Sequence, residues 1–487
     1  MSYSRRGQIL LTTTLLLLLL AGLCVATEFY VKPTTFQEIS GPWESCYTLD
    51  ELAAKYFYAS ATDLLMDNVT VIFINGTHES KGSIFVKEVN NFTMLGVGGI
   101  DGEIHIVNIN CKGVSSLVFE GIVNLTITRI AFLQCGTLYQ DDNLDALTFS
   151  GVFNLRLNWV TIHNSTNTAV AVVNVLGTSV IDHSVFQGFS VSGLQSNYYN
   201  TYHIFIGYDN CHRIRYKCSN KTTSLLHAVN SHKLHIHNCV LRNGKDGSVR
   251  ITLYHIGYKV EVDLMNTSML SGGVQYIPRV GDLSIQMESQ ANYLVTIRES
   301  YVAYNKGAAI SVLSLYTPSE THASQLIQIT NTIMDEGAAG IDIRSYESPP
   351  ITSTTISQVV IENCIITKKS GTTAHGLRVT QVNDQFSVVL RNVSFQNNTV
   401  PKGVICLDKS KGIELIDCRF VGNKGTPITL YNSTLKVSGT LSFVNNMAYK
   451  GGAMAFHKGS YMSISLENNT QMRFINNYAG CNLCRRN

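Results

Sequence analysis

The sequence predicts an all-β fold, a single right-handed parallel β-helix built as a solenoid of stacked coils, with a short N-terminal capping helix. Apolar and polar residues alternate with a period of two in segments such as 160–165 and 434–443, as expected for β-strands. A unit of strand, Gly or Asn turn, and strand also recurs along the chain. It is seen in the segments that begin at His237, Arg298, Thr330, Ile361, Leu415 and Leu441.

The length of the chain favours the same fold. The 487 residues are too many for one ordinary core, but the chain has only 8 prolines and no Gly/Ser-rich or charged linker that would divide it. In a repeat array each unit buries its apolar face against its neighbours, so the chain can lengthen without a spherical core. Phe395, Phe420, Phe443 and Phe474 recur at intervals of 25, 23 and 31 residues, the size of one coil. A β-sandwich is the alternative, but it needs only about seven to nine strands.

Asparagines recur in pairs where turns are expected. Asparagine tolerates left-handed backbone, and its amide can bond the neighbouring coil. The pairs are Asn397 and Asn398, Asn445 and Asn446, and Asn476 and Asn477. Because both roles are structural, these asparagines predict no binding function.

The N-terminus reads as a cleavable signal peptide over residues 1–26. Arg5 and Arg6 precede an apolar segment that ends in Leu15–Leu20, and small residues lead to cleavage before Thr27. A signal anchor is the alternative, but the apolar segment is shorter than the roughly 20 residues of a membrane span. The remaining chain has no apolar stretch of spanning length, so we expect secretion, or the cell surface if the natural chain is longer.

The mature chain divides into three predicted parts. Residues 27–68 form a cap segment that protects the open end of the stack. Within it, Thr48 and Glu51 form a capping box for a short amphipathic helix over residues 47–58. The β-helix spans residues 69–480, and residues 481–487 form a tail. Either this tail is truncated or Cys481 and Cys484 close the stack.

The net charge and the number of cysteines limit the classes of function that we expect. Without Arg5 and Arg6 the chain has 35 basic and 34 acidic residues, and this balance argues against nucleic-acid binding. Eleven cysteines remain, an odd number, and Cys211 with Cys218 is the candidate disulfide. Glycosylation sequons are consistent with secretion. They occur at Asn68, Asn75, Asn91, Asn124, Asn164, Asn220, Asn266, Asn392, Asn397, Asn432 and Asn468.

Two clusters are candidates for recognition or chemistry. His235 and His237 lie on one face of a predicted strand, close enough to share a metal, but their spacing matches no standard zinc site, so packed or exposed histidines are the simpler interpretation. A polar insertion with four tyrosines is the preferred ligand-binding loop, since insertions on one face of a solenoid often bind ligands. The tyrosines are Tyr198, Tyr199, Tyr202 and Tyr208.

Several segments resemble known families. The segment 443–453, FVNNMAYKGGA, resembles the FxxN and GGA[I/L] repeats of chlamydial polymorphic outer-membrane proteins, through Phe443, Asn446 and Gly451–Ala453. Phe474 and Asn477 repeat the first half of the motif. The chain is also similar to secreted β-helix proteins of sponges and cnidarians, in segments such as FYVKPT and NLTITRIAFLQC. The bacterial resemblance implies adhesion, although no autotransporter barrel follows.

A second resemblance implies an enzyme. The segment VIDHSVF from Val180 resembles the I-D-H stretch of pectate lyases, which makes Asp182 and His183 candidate catalytic residues beside a calcium ion. The Arg-x-Pro-x-x-Arg motif of that family is missing. Polygalacturonase-like hydrolysis would need paired acids. Asp141 and Asp142 are the only adjacent pair of aspartates, and the GHG and RIK motifs are not found.

We therefore predict a secreted structural or adhesion-type protein with no catalytic activity, no cofactor and no bound metal. It would present an elongated surface to an extracellular glycan or protein partner. The alternative is a carbohydrate-active enzyme, a polysaccharide lyase or glycoside hydrolase, that acts along the face of the β-helix.

Overall fold

The computed structural model describes residues 27–34, 46–58, 61, 63, 65, 67–97, 107–136, 145–165, 169–188, 226–229, 231–244, 247–253, 259–271, 281–288, 292–315, 324–345, 356–371, 374–382, 386–448, 452–464 and 470–479. These residues form an all-β parallel β-helix with three long sheets and one short helix. The predicted signal peptide, the tyrosine loop with Cys211 and Cys218, and the tail from Cys481 lie outside the described residues.

The three sheets run the length of the stack. Sheet 1 contains Thr27–Val31, Val69–Ile74, Asn90–Val97, Val123–Thr128, Phe153–Asn158, Leu176–Asp182, Lys233–His237, Val260–Met265, Tyr293–Arg298, Ser324–Thr330, Ile356–Glu362, Phe386–Arg391, Ile413–Ile416, Thr434–Ser438 and Tyr461–Ile464. Sheet 2 contains Thr77–Glu79, Val107–Asn110, Ile130–Leu133, Thr161–Ser165, Val185–Gly188, Val240–Arg242, Ser268–Leu270, Ile365–Thr367, Ser394–Gln396, Arg419–Val421, Thr440–Val444 and Gln471–Ile475. Sheet 3 contains Ile84–Lys87, Leu117–Glu120, Leu147–Ser150, Val170–Val173, Leu226–Val229, Val249–Leu253, Gly281–Glu288, Leu377–Thr380, Ile405–Asp408, Ile428–Tyr431 and Met454–Phe456. The strands Tyr301–Leu315 and Ile333–Ser345 belong to both sheets 2 and 3, and Met447–Ala448 pairs with Tyr478–Ala479 separately.

Each coil passes through sheet 1, sheet 2 and sheet 3 in turn, and every strand pairing among the described residues is parallel. This excludes the β-sandwich, whose hairpins pair antiparallel strands. Burial alternates as predicted, so that Val69, Val71 and Phe73 point into the core while the residues between them do not. The corners between strands need a left-handed backbone conformation at single positions. Asn397 and Asn445 adopt this conformation, with φ of +52° and +54°.

Two of the expected strand–turn–strand units are instead continuous strands. Tyr301–Leu315 and Ile333–Ser345 each run through the corner between sheets 2 and 3 without a break. Their pairing shifts register between Asn305 and Ala308, which indicates a bulge. A bulge bends a strand without ending it, so the predicted tight turn is wrong at these two coils.

Side chains stack in columns inside the coils. Phe395, Phe420, Phe443 and Phe474 stack with ring centroids 5.0 to 5.1 Å apart, which confirms that their spacing marks the coil. One position after the turn asparagines, a buried amide column runs parallel to the rings. In this column, Asn423 Nδ2 donates to Asn446 Oδ1 at 2.9 Å and to the carbonyl oxygen of Phe395 at 3.0 Å. These bonds satisfy buried polar groups and fix the register between coils.

An exposed asparagine column includes three of the predicted glycosylation positions. The Nδ2 atoms of Asn91, Asn124 and Asn154 each donate to the Oδ1 atom of the asparagine one coil earlier, at 2.7 to 2.9 Å, with Asn68 first in the column. Asn220 and Asn468 lie outside the described residues. Glycosylation remains a prediction.

The N-terminal segment begins the stack. Thr27–Val31 pairs in parallel with Val69–Ile74, so it is the first strand of sheet 1. Helix α1, Leu49–Tyr56, follows, and its capping box is confirmed. The Thr48 hydroxyl accepts a hydrogen bond from the backbone N–H of Glu51, and the Glu51 carboxylate accepts one from the backbone N–H of Thr48. Leu49, Leu52 and Ala53 are buried on one face, as predicted.

Cysteines in the described residues are inside the coils. Cys111 and Cys135 form a disulfide between successive coils. The sequence did not single out this pair, although its separation of 24 residues equals one coil. The other described thiols are buried, and burial raises the pKa of Cys364 to about 11 and of Cys418 to about 12. Such thiols are poor nucleophiles, so their role is to pack.

Candidate functional site

The first predicted pair, Asp182 and His183, lies where sheet 1 ends and turns toward sheet 2. His183 occupies the left-handed turn position, with φ of +48°. Its Nδ1 atom is 3.0 Å from Asp182 Oδ2, and its ring stacks on Trp159 with centroids 4.6 Å apart. Asn238, one coil later, donates from Nδ2 to Asp182 Oδ1 at 2.9 Å. Burial opposes ionisation of Asp182, but the hydrogen bonds from Asn238 and His183 outweigh it and lower its pKa.

The predicted histidine pair lies directly beside Asp182. In the register of sheet 1, Asp182 is opposite His237, and Val180 is opposite His235. Both imidazoles project from the outer face, half-buried, with ring centroids 5.5 Å apart. The structure therefore joins two hypotheses that the sequence kept separate, the Asp182–His183 pair and the histidine cluster.

Asp263 and Arg298 complete the cluster. Asp263 follows His235 in the ladder, and Arg298 follows His237 and Met265. Arg298 binds the Asp263 carboxylate through two atoms, with Nε 3.1 Å from Oδ1 and Nη2 2.9 Å from Oδ2. His237 Nε2 is 3.0 Å from Asp263 Oδ2, and His235 Nδ1 is 3.9 Å away from the same oxygen.

The electrostatics of the cluster centre on Asp263. Burial opposes ionisation, but the hydrogen bonds from Arg298 and then from His237 outweigh it and lower the pKa of Asp263. The same ion pair raises the pKa of Arg298. Asp263 is therefore an anion whose charge is neutralised in place, while Arg298 and the two imidazoles still reach the surface.

Sequence reasoning missed Asp263 and Arg298. Asp263 is 26 residues after His237, and Arg298 is 35 residues after Asp263. Both intervals correspond to about one coil. An alignment of coils at sheet 1 would bring these residues beside His237, but the spacing varies too much from coil to coil for the sequence to fix it.

The cluster also tests the idea that the histidines share a metal. One ligand atom each from His235, His237 and Asp263 lie within 4.8 Å of one another. Imidazole nitrogens and a carboxylate suit a transition metal. However, both carboxylate oxygens of Asp263 already accept hydrogen bonds from Arg298, so a cation would have to share the carboxylate with the positively charged guanidinium. The arrangement fits an ion-pair network better than a metal site.

The other predicted site residues lie outside the described residues. They are Tyr198, Tyr199, Tyr202 and Tyr208, and the pair Asp141 and Asp142. Their predicted roles remain predictions. No helix in the described part of the chain is long and apolar enough to cross a membrane.

Comparison with known proteins agrees on the fold. Residues 319–486 match a family model described as a right-handed β-helix region. No curated protein sequence matches the chain.

Three solved structures illustrate the likeness in fold. The Agl-KA catalytic domain is 13% identical with a TM-score of 0.38, and the alignment covers 82% of this chain and 63% of that domain. Pectate lyase Pel9A is 10% identical with a TM-score of 0.36, covering 77% of this chain and 80% of the lyase. The periplasmic alginate epimerase AlgG is 8% identical with a TM-score of 0.34, covering 92% of this chain and 82% of the epimerase.

Similarity at this level carries no information about activity, and this chain spans less than two thirds of the Agl-KA domain. The parallel pairing of all three sheets, together with the matched family model, establishes the chain as an all-β protein with a right-handed β-helix region.

Proposed function

We propose that this protein binds an extended extracellular glycan along the outer face of sheet 1, centred on Asp263. The observation that carries the proposal is the row formed by Asp182, His237, Asp263 and Arg298, which come from four successive coils. Asp182, His237 and Arg298 lie in one column of sheet 1, with Met265 between His237 and Arg298. Asp263 lies in the adjacent column, where it contacts His237 and accepts hydrogen bonds from Arg298. Parallel strands lie about 4.8 Å apart, so the row offers polar groups of successive coils to an elongated ligand.

The chemistry of the row suits a sugar chain. Fixed, planar donors and acceptors orient hydroxyl or carboxylate groups of a ligand, and Arg298 retains donors beyond the two that Asp263 accepts. The Trp159–His183 stack supplies an aromatic surface at one end of the row. The predicted signal peptide and sequons support an extracellular location, and the resemblance to adhesion-type β-helix proteins supports a binding role.

Binding assays with polygalacturonate, alginate and a neutral β-glucan test the proposal. We expect Arg298→Gln to weaken binding about tenfold, since a hydrogen bond to a charged group contributes about 1.5 kcal/mol or more. The matched control is Arg391→Gln. Arg391 lies in the same column of sheet 1, and its Nη1 atom is 3.6 Å from Glu362 Oε1. Equal effects of the two variants, or no binding to any of the glycans, would contradict the proposal.

A second candidate function is cleavage of an acidic polysaccharide. The specific observation is that Asp263 holds the His237 imidazole beside the Arg298 guanidinium. A histidine oriented by a carboxylate is a common general base, and a neighbouring cation can neutralise a uronate carboxylate. Incubation of the protein with polygalacturonate and alginate, with and without calcium, would reveal new reducing ends or unsaturated products. Their appearance, and their loss in His237→Gln, would establish the enzyme.

A further inference from the structure

Two adjacent lysines at one corner of the β-helix have opposite environments. Lys368 is exposed, with Nζ 3.4 Å from Asp335 Oδ1 and 3.3 Å from Glu336 Oε1. Lys369 is fully buried, and its backbone pairs with Gly337 one coil earlier. A buried lysine is rare because desolvation penalises its charge. Lys369 therefore needs a specific explanation.

The buried amine contacts an equally buried asparagine two coils away. Lys369 Nζ lies 2.8 Å from Asn305 Oδ1, and also 3.0 Å and 3.1 Å from the backbone carbonyl oxygens of Asp335 and Glu336. Asn305 is 2% exposed. The lysine side chain thus crosses the interior of the intervening coil and ends against the side-chain amide of Asn305.

Gly337 makes this approach possible. A Cβ atom at this position would come within 2.3 Å of Asn305 Oδ1 and 2.8 Å of Asn305 Cγ, and the residue has φ of +134°. The Asn305 amide is held from its other end, because Nδ2 donates to the carbonyl oxygens of Gly307 and Ala339. The amide carbon therefore lies in a fixed orientation beside the amine.

The surroundings favour a reactive amine. Burial lowers the pKa of Lys369 to about 7, against the opposing charges of Asp282, Asp335 and Glu336, so a large fraction of the amine is neutral at neutral pH. Asp282 is also fully buried, and its Oδ1 atom accepts a hydrogen bond from the Ser248 hydroxyl at 2.7 Å. Of the three acidic residues, Asp282 has the largest effect on Lys369.

We propose that Lys369 and Asn305 form an intramolecular isopeptide bond that covalently joins two coils across the coil that lies between them. Nζ attacks Cγ of Asn305, the new C–N bond forms, and the bond from Cγ to Nδ2 breaks. The proton that Nζ loses is the one that Nδ2 gains, and Nδ2 leaves as ammonia. The step needs no oxidant, reductant or further reactant.

Peptide mass spectrometry on the purified full chain tests the proposal directly. Trypsin does not cut after an acylated lysine, so the bond predicts a branched peptide that joins residues 299–306 to residues 369–378 with the loss of one ammonia. The two peptides recovered separately, with trypsin cutting after Lys369, would overturn the proposal. In that case the role of the buried Lys369 amine would be limited to its hydrogen bonds with Asn305 and the two backbone carbonyl groups.

Substitutions at the two adjacent lysines test whether the bond forms through Lys369. Lys368→Arg preserves the tryptic site and should give the same branched peptide, because Lys368 points outward. Lys369→Arg should abolish it, since a guanidinium does not acylate under these conditions.

Discussion

The column of phenylalanines offers a quantitative test of how the coils are held together. Phe420 is fully buried and stacks on Phe395 and Phe443, with ring centroids 5.0 Å and 5.1 Å away. Replacing a buried phenylalanine with alanine costs about 3–5 kcal/mol. Each aromatic pair adds about 0.5–1.5 kcal/mol beyond burial, so two lost pairs place Phe420→Ala in the upper half of that range, near 4 kcal/mol.

Phe474→Ala is the matched control. Phe474 belongs to the same column, but it is 53% exposed and stacks on Phe443. With half of its surface already in water, we expect a cost of about 1–2 kcal/mol for its removal. The difference between the two variants isolates the contribution of burial within the column.

Urea unfolding followed by far-UV circular dichroism measures the free energy of unfolding of each variant. Because coils contact only their neighbours, a solenoid can also open locally, so hydrogen exchange at residues 394–396, 419–421 and 440–444 should be measured in parallel. Faster exchange confined to these strands in Phe420→Ala would support the conclusion that the stacked phenylalanines hold neighbouring coils together. A cost for Phe420→Ala of under about 1.5 kcal/mol, or one equal to that of Phe474→Ala, would refute it.

Three further perturbations follow from the structure. Asn423→Ala removes an amide that makes four hydrogen-bonding contacts within the buried column, and we expect a loss of about 3 kcal/mol in urea unfolding; a loss under about 1 kcal/mol would contradict the column. Arg298→Gln should raise the pKa of Asp263. The wild type holds this pKa below its unfolded value, so it loses stability as pH falls below about 4, and the variant should lose less on the same acidification. Gly340→Ala places a Cβ atom 2.1 Å from the carbonyl oxygen of Gly376, so the melting temperature should fall clearly, and an unchanged value would show that the coils can separate there.

Most of the fold could be predicted from local patterns in the sequence. The alternation of burial in strands such as Val69–Ile74, the capping box of α1 and the period of the phenylalanines all depend on residues that are close in sequence or separated by one coil. Such features follow from backbone geometry and from the need to bury one face of each strand, so the sequence alone determined them.

The candidate site could be predicted only in pieces. Asp182 and His183, and His235 and His237, were each identified from neighbouring letters, whereas Asp263 has no local feature that marks it. Which residues face one another across coils depends on the register of each strand, and turns of variable length shift that register from coil to coil. The sequence spacing therefore does not fix the partners of His237.

Side-chain direction at the corners was likewise decided by tertiary structure. Lys368 and Lys369 are identical in type and adjacent in sequence, yet one reaches carboxylates at the surface and the other reaches Asn305 through the core. Because Gly337 has no side chain, the amine of the second lysine can reach Asn305 across the coil between them. The sequence determined that this chain stacks in coils, but only the packing of one coil on the next decided which polar groups meet, because each contact is made by residues of different coils.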